Sequence, residues 1–178
     1  MSGEMIEVSQ AALLRYDIFM INAIREAIGD GDIASVRTLL IEYQTELGID
    51  LTFQGFADEL KNLPGAYASP AGCLFIALIG DQAAGCVGLR QFDQASCEMK
   101  RLYVRPEFRK AKLGIELARH VIVKARQLGY QRMLLDTLPT MQRAQRMYEQ
   151  IGFRDVAPYR HNPIAGTRFL SLDLGSAS

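Results

Sequence analysis

The sequence predicts one α/β domain in which strands and helices alternate along the chain. Its 178 residues are close to the usual length of a single domain. Hydrophobic residues make up 49% and charged residues 22% of the chain, which excludes a disordered, collagen-like or disulfide-rich protein. No internal repeat and no linker divides the sequence. We therefore expect a lead-in over residues 1–18 and one domain over residues 19–178.

The first half of the chain is predicted to form two helices between strands. Asp32 is placed as the N-cap of a helix whose apolar residues keep one face from Ile33 to Leu47. A second, shorter helix around Phe56 ends at the Pro and Gly of residues 63–65. A turn at residues 80–82 joins two strands into a hairpin. The strands of this half are predicted at 19–27, 73–79 and 84–92.

In the second half, two amphipathic helices follow strands. Pro106 ends a strand, and apolar residues then keep helical spacing from Gly114 to Gly129. Another helix begins at Pro139 and ends at Gly152. The strands of this half are predicted at 97–104, 132–136, 153–159 and 168–174.

Charge is balanced over the whole chain but not along it. Twenty Lys and Arg cancel 20 Asp and Glu, which argues against a protein that coats nucleic acid or an anionic membrane. Residues 1–97 carry a net charge of −8, whereas residues 98–132 carry +7. Four basic residues of the second segment lie between a strand and a helix, where free backbone amides favour a phosphate. They are Arg105, Arg109, Lys110 and Lys112.

Three cysteines without regular spacing indicate reduced, buried thiols rather than a disulfide framework. No His, Cys and Asp residues have the spacing of a metal site, so no metal is expected. The N-terminal residues lack the basic start of a signal peptide. We therefore expect a cytoplasmic protein.

Two motifs in the second half resemble the GNAT acetyltransferase superfamily. The first is the segment 98–106 (EMKRLYVRP) followed by Arg109 and Gly114, and the second runs from Leu135 through Ala144 and Tyr148 to Phe153. The resemblance covers about residues 19–174. It implies an α/β (α+β) single domain with a central mixed, mostly antiparallel sheet of about seven strands, flanked by about four helices. The sequence departs from the family pattern at Lys112, where the family has an inner glycine, and at Met141, where it often has Asn.

The resemblance implies acetyl-CoA as a co-substrate. The strand backbone at Leu102, Tyr103 and Val104 would pair with the pantetheine arm. The following turn would hold the pyrophosphate. Its residues are Arg109, Lys110, Ala111, Lys112, Leu113 and Gly114.

The resemblance also implies that Tyr148 protonates the leaving thiolate. Glu98 is our candidate base because it lies on the strand that the thioester would follow, although it is equally explained as a strand residue paired with a Lys or Arg. Arg90, Tyr159 and Asn162, together with the neighbouring Arg160, are predicted to line the acceptor side. These residue types suit a small amine that also bears a carboxylate.

The sequence thus predicts an acetyl-CoA-dependent N-acetyltransferase that acts on a primary amine of a small molecule by direct attack in a ternary complex. Two alternatives stay open: a protein or peptide N-acetyltransferase, and a CoA-binding regulatory module that has lost catalysis. No nucleic acid or membrane partner is expected, and a homodimer is left open.

Overall fold

The computed structural model describes residues 21–175, which form a seven-stranded sheet in the order β1-β2-β3-β4-β5-β7-β6. All neighbouring strands are antiparallel except β4 and β5, which run parallel. The predicted fold class is confirmed. The strands are β1 (Ile21–Glu26), β2 (Cys73–Ile79), β3 (Gln82–Gln91), β4 (Ser96–Val104), β5 (Arg132–Thr137), β6 (Arg154–Asp155) and β7 (Arg168–Asp173).

Four α-helices and three short 3-10 segments connect these strands. The 3-10 segments lie at 52–54, 65–67 and 106–111. Among the described residues, no helix has the length and apolar character needed to cross a membrane. The helices are α1 (Gly29–Leu47), α2 (Phe56–Lys61), α3 (Leu113–Gln127) and α4 (Gln142–Ile151).

Three predicted boundaries are wrong, one of them the start of α4, which is Gln142 rather than Pro139. Asp32 lies inside the first turn of α1, and the N-cap is Ile28, whose backbone N–H donates to the Asp32 carboxylate at 2.9 Å. The predicted strand over 153–159 shortens to Arg154–Asp155, because Pro158 has no N–H to donate to a sheet ladder. Residues 156–167 instead form a loop between β6 and β7. Residues 19 and 20 of the first predicted strand, and the lead-in, lie outside the described residues.

Helices cover both faces of the sheet. Alternate residues of β2 enter different cores: Phe75 packs with the α3 residue Leu117, whereas Ile76 packs with the α1 residue Leu40. This alternation is the consequence of strand geometry, which points successive side chains to opposite faces. Each large aliphatic side chain buried in this way contributes about 1.5–3 kcal/mol. The sheet is therefore packed between α1 and α2 on one face and α3 and α4 on the other.

The two parallel strands pair over a short distance only. Ser96, Cys97 and Glu98 of β4 pair with residues 132–134 of β5, after which the ladder ends. β4 continues to Val104 and remains paired with β3 on its other side. The edge of β4 that faces β5 therefore has no strand partner from residue 99 onward. We call this separation of the two strands the fork.

Candidate functional site

An open cleft of about 850 Å³ lies where the fork widens, and we call it the outer cleft. Strand β4, the beginning of α3, helix α4 and the end of α1 supply its walls. Three of the nine predicted cofactor residues, Lys110, Ala111 and Leu113, belong to the same turn but do not line the cleft. The six that line it are Leu102, Tyr103, Val104, Arg109, Lys112 and Gly114.

The turn at the base of the outer cleft presents backbone to the open space. Lys112 has a φ of 56° and a ψ of 17°, which is the left-handed conformation, and it is the N-cap of α3. No side chain caps this helix, so its first amides are free to bind an anion. At Gly114 a Cβ would meet nothing nearer than the Met147 sulfur at 3.8 Å. Packing within the protein therefore does not require glycine there, whereas close approach of a ligand to the backbone does.

The positive charge of the turn is partly neutralised by α1. Arg105 donates two hydrogen bonds to Glu42, at 2.8 and 2.7 Å. Arg109 pairs with Glu46 at 2.6 Å and donates from Nε to the carbonyl of Val104 at 2.9 Å. These two arginines fasten α1 to the turn. They are less available to a phosphate than the sequence predicts.

Other basic residues supply the charge of the outer cleft. Lys112 on the turn and Arg143 and Arg146 on α4 line it, and none of the three has a carboxylate partner among residues 21–175. These two arginines were not among the residues predicted from the sequence. Their spacing of three residues, which places both on one helix face, was the signal that could have found them.

A small chamber of about 40 Å³ lies deeper in the fork, between β4 and β5, and we call it the inner chamber. It shares Tyr43, Leu47, Leu102 and Met141 with the outer cleft, so the two spaces adjoin. The polar residues of its wall are Tyr43, Gln54, Lys100, Arg101, Asp136, Thr137 and Tyr148.

Tyr148, the predicted acid, lies on α4 in the wall of this chamber. Burial raises the pKa of the Tyr148 hydroxyl above its ordinary value, so the group keeps its proton at neutral pH. It also packs edge-to-face against Phe153, which fixes the ring. Tyr148 lines the inner chamber but not the outer cleft, and its role as an acid stays a prediction.

Glu98 is fully buried beside the inner chamber and is surrounded by the predicted acceptor residues. Its carboxylate accepts from Arg90 Nε at 2.9 Å, from the Tyr159 hydroxyl at 3.1 Å and from Arg160 at 2.6 Å. The pairing with arginine that the sequence offered as an alternative is therefore present. Glu98 lines neither the inner chamber nor the outer cleft. Its role as a base stays a prediction.

Asp136 is a second buried carboxylate, two residues further along β5 than the partner of Glu98. It accepts from Lys100 Nζ at 2.9 Å and from Asn162 Nδ2 at 3.0 Å. Burial raises the pKa of Asp136, but the Lys100 ammonium and the amide of Asn162 outweigh it and hold that pKa below its ordinary value. Burial lowers the pKa of Lys100 by more than the two carboxylates raise it.

These groups form one polar cluster that joins the predicted acceptor residues to the chamber. The predicted residues Arg90, Glu98, Tyr159 and Asn162 are all brought together, and Lys100 and Asp136 are the members that sequence analysis missed. Three cationic side chains surround two carboxylates, which leaves one excess positive charge. Lys100 and Asp136 could have been found as charged residues at alternate strand positions, on the sheet face that carries Glu98.

A family model described as Acetyltransferase (GNAT) family matches residues 34–153, more than half of the chain. The chain belongs to this acetyltransferase family. The resemblance carried by the two sequence motifs is thereby confirmed, and the enzyme is an N-acetyltransferase of the GNAT class.

Individual relatives agree with this assignment. The chain is 43% identical over 145 residues to an uncharacterized N-acetyltransferase of Schizosaccharomyces pombe, a match that covers 80% of this chain and 89% of the yeast protein. An acetyltransferase from Streptococcus agalactiae superposes with a TM-score of 0.72 and 22% identity, over 85% of this chain and 97% of its own. A GNAT acetyltransferase from Elizabethkingia anophelis with acetyl-CoA bound gives a TM-score of 0.51 and 23% identity, over 62% and 81% of the two chains. At these identities the two structures support the fold alone.

Proposed function

We propose that this GNAT acetyltransferase moves the acetyl group of acetyl-CoA to the primary amine of a small molecule, by direct attack in a ternary complex. The observation that carries the proposal is the fork. It opens on one side to a basic cleft and on the other to a small chamber whose wall contains Tyr148, Lys100 and Asp136.

The outer cleft fits a CoA-sized molecule. Its volume of about 850 Å³ is within the range of small-molecule sites. The edge of β4 at Leu102, Tyr103 and Val104 has no strand partner on the β5 side, where an extended pantetheine arm would pair with it. The free amides after Lys112, aided by Arg143 and Arg146, suit a pyrophosphate.

When bound, acetyl-CoA supplies an acetyl group already activated as a thioester. Tyr148 donates its hydroxyl proton to the departing thiolate. A backbone N–H of β4 near Val104 stabilises the negative charge that develops on the carbonyl oxygen. Glu98 accepts the proton of the amine through water, because its carboxylate does not line the chamber.

The acceptor side favours an amine that also carries a carboxylate. The excess positive charge of the polar cluster comes from Arg90, Lys100 and Arg160, which outnumber Glu98 and Asp136. Tyr159 packs edge-to-face between Phe92 and Phe169 and forms a rigid wall beside these charges. The positive excess of this cluster favours a compact zwitterion over a polyamine, whose charges all have the same sign as the excess.

The test is a thiol-release assay with acetyl-CoA and a panel of amino acids, polyamines, aminoglycosides and peptides. We expect turnover with small amines that carry a carboxylate. Acetylation of peptides or polyamines alone would refute the proposed acceptor class. Binding of acetyl-CoA without turnover on any amine would instead favour a module that has lost catalysis. Thermal shift with CoA measures binding independently.

A further inference from the structure

Lys100 places a primary amine of the protein itself at the wall of the inner chamber. It lies on β4, lines the same small space as Tyr148, and is only 6% exposed. Its Nζ is 2.9 Å from Asp136 Oδ1 and 3.9 Å from Glu98 Oε1. The chemistry proposed for this chamber is transfer of an acetyl group to a primary amine. Lys100 has that functional group in that place.

We propose that Lys100 is an internal acceptor, so that the enzyme acetylates its own Nζ when no external amine occupies the chamber. This inference rests on the proposed function, since the acetyl group must come from acetyl-CoA in the outer cleft. The two spaces adjoin at Tyr43, Leu102 and Met141, so the acetyl group would have to pass between these side chains to reach Lys100.

The step balances with groups that are present. The Lys100 ammonium loses one proton to solvent, and the neutral Nζ forms a bond to the acetyl carbonyl carbon. The carbon–sulfur bond breaks, and the thiolate takes the proton of Tyr148. The second proton lost by the nitrogen leaves to solvent and Tyr148 is reprotonated, so that the products are acetyl-lysine, free CoA and one proton. Burial favours the neutral amine, because it lowers the pKa of Lys100.

The other lysines of the chain lack this placement. The five lysines in the sequence are Lys61, Lys100, Lys110, Lys112 and Lys124. Lys61 is exposed on α2, and Lys124 pairs with Glu26 on the surface. Lys112 lines the outer cleft, but only Lys100 of the five, all of which are described, lines the inner chamber. Self-acetylation should therefore be selective rather than spread over the surface.

The modification would change the site. An acetylated Lys100 carries no charge, which removes the ammonium held by Asp136 and leaves Asn162 as the remaining partner of that carboxylate. The acetyl group would also occupy a chamber of only about 40 Å³. The product is a stable amide that fills the acceptor position, and the consequence is an enzyme that inhibits itself when its acceptor is scarce.

The experiment incubates the purified protein with isotopically labelled acetyl-CoA and no amine, and locates the label by peptide mass spectrometry. We expect label on Lys100 to rise towards one group per chain, at a rate independent of protein concentration. It should be about 100-fold faster than on Lys61, since a held amine gains from proximity. Tyr148→Phe should slow the labelling of Lys100 alone, and Lys61→Arg should leave it unchanged.

Three results would overturn the inference: Lys100 unlabelled, labelled no faster than Lys61, or labelled equally fast in the urea-unfolded chain. A parallel thiol-release assay and thermal shift separate the two proposals. Turnover of an external amine with Lys100 unlabelled refutes self-acetylation alone. If acetyl-CoA does not bind and no amine is acetylated, both proposals are refuted. Lys100→Arg keeps the positive charge beside Asp136 and should abolish the label at position 100 while acetyl-CoA still binds.

Discussion

Lys112 is a residue whose backbone conformation and side-chain charge act in opposite directions. Its left-handed φ of 56° costs about 1–2 kcal/mol for a residue with a Cβ. The same side chain adds a positive charge to the wall of the outer cleft, where no carboxylate among the described residues pairs with it. The family pattern has glycine at this position, which would remove the strain and the charge together.

Replacing Lys112 by glycine tests this balance. We predict that Lys112→Gly leaves the affinity for CoA within about tenfold, or 1.4 kcal/mol, of the unchanged protein. The reason is that removing the strained Cβ offsets the loss of the lysine charge. Isothermal titration with CoA measures the affinity, and Lys110→Gly on the same turn serves as the control. A gain of more than tenfold would mean that the lysine Cβ obstructs the phosphate.

Tyr148 offers the sharpest residue-level test of the chemistry. We predict that Tyr148→Phe lowers kcat by about 10²–10⁴-fold, the usual contribution of a general acid, and leaves the Kd for CoA unchanged. Steady-state kinetics and thermal shift measure the two quantities. Tyr130→Phe is the matched control, because the Tyr130 hydroxyl donates to the Ala71 carbonyl at 2.7 Å away from both cavities. An unchanged kcat would dismiss the acid role.

At the scale of elements, strand β4 shows what sequence can and cannot predict. Its alternation and the proline that follows it predict the strand, and the basic turn predicts a phosphate site near residues 109–114. Local pattern cannot show that β4 and β5 pair over three residues only, because pairing depends on a strand 36 positions away in the chain. For the same reason the sequence does not reveal that Lys100 meets Asp136.

Helix α1 provides a second example. The acidic first half and the basic middle segment are visible in the sequence, which predicts a phosphate site at the basic turn. The structure instead brings Glu42 and Glu46 of α1 onto Arg105 and Arg109. Part of the charge imbalance therefore fastens two elements together. The remaining basic charge of the cleft comes largely from α4, which the segment count did not single out.

Helix α4 is the element on which cofactor affinity should depend. We predict that the double variant Arg143→Ala/Arg146→Ala raises the KM for acetyl-CoA about tenfold, or 1.4 kcal/mol, because both unpaired charges line the cleft. The salt dependence of KM should also flatten, since fewer charges attract the phosphates. Initial rates at several salt concentrations measure both effects. Arg119→Ala, which removes an exposed charge on α3, is the control, and an unchanged KM would exclude α4 from phosphate binding.

For the whole molecule, buried carboxylates determine how stability depends on pH. The pKa of Asp136 is lowered, as described above. Burial raises the pKa of Glu59, but two hydrogen bonds from Arg101, at 2.8 and 2.7 Å, outweigh it and leave that pKa below its ordinary value. A carboxyl whose pKa is lower in the folded state binds its proton more weakly than in the unfolded chain. Both groups therefore stabilise the fold above the unfolded pKa, and this contribution is lost as the pH falls through the folded pKa.

We predict that the free energy of unfolding decreases as the pH falls below about 4, the region of unfolded Asp and Glu pKa values. Urea titrations between pH 6 and pH 3 measure the change. The Glu59→Gln variant should be less stable at pH 6. Its free energy of unfolding should also fall less steeply on acidification, because one of the carboxylates with a lowered pKa is gone. A stability that stays level or rises on acidification would contradict the assignment of these ion pairs.

The expectation of a cytoplasmic location stays a prediction, as does the division of the chain at residue 18. The three cysteines are all buried as free thiols in the described structure.

The three-residue seam between β4 and β5 has a mechanical consequence. It divides the sheet into two plates, one of β1 to β4 and one of β5, β7 and β6, joined by few hydrogen bonds. Because only this short ladder joins the two parts, any small rotation between them would change the width of the gap beside it. A molecule that forms hydrogen bonds along the free edge of β4 would hold the two parts of the sheet at a fixed separation. Occupancy of the site and stiffness of the sheet are therefore coupled through the same few residues.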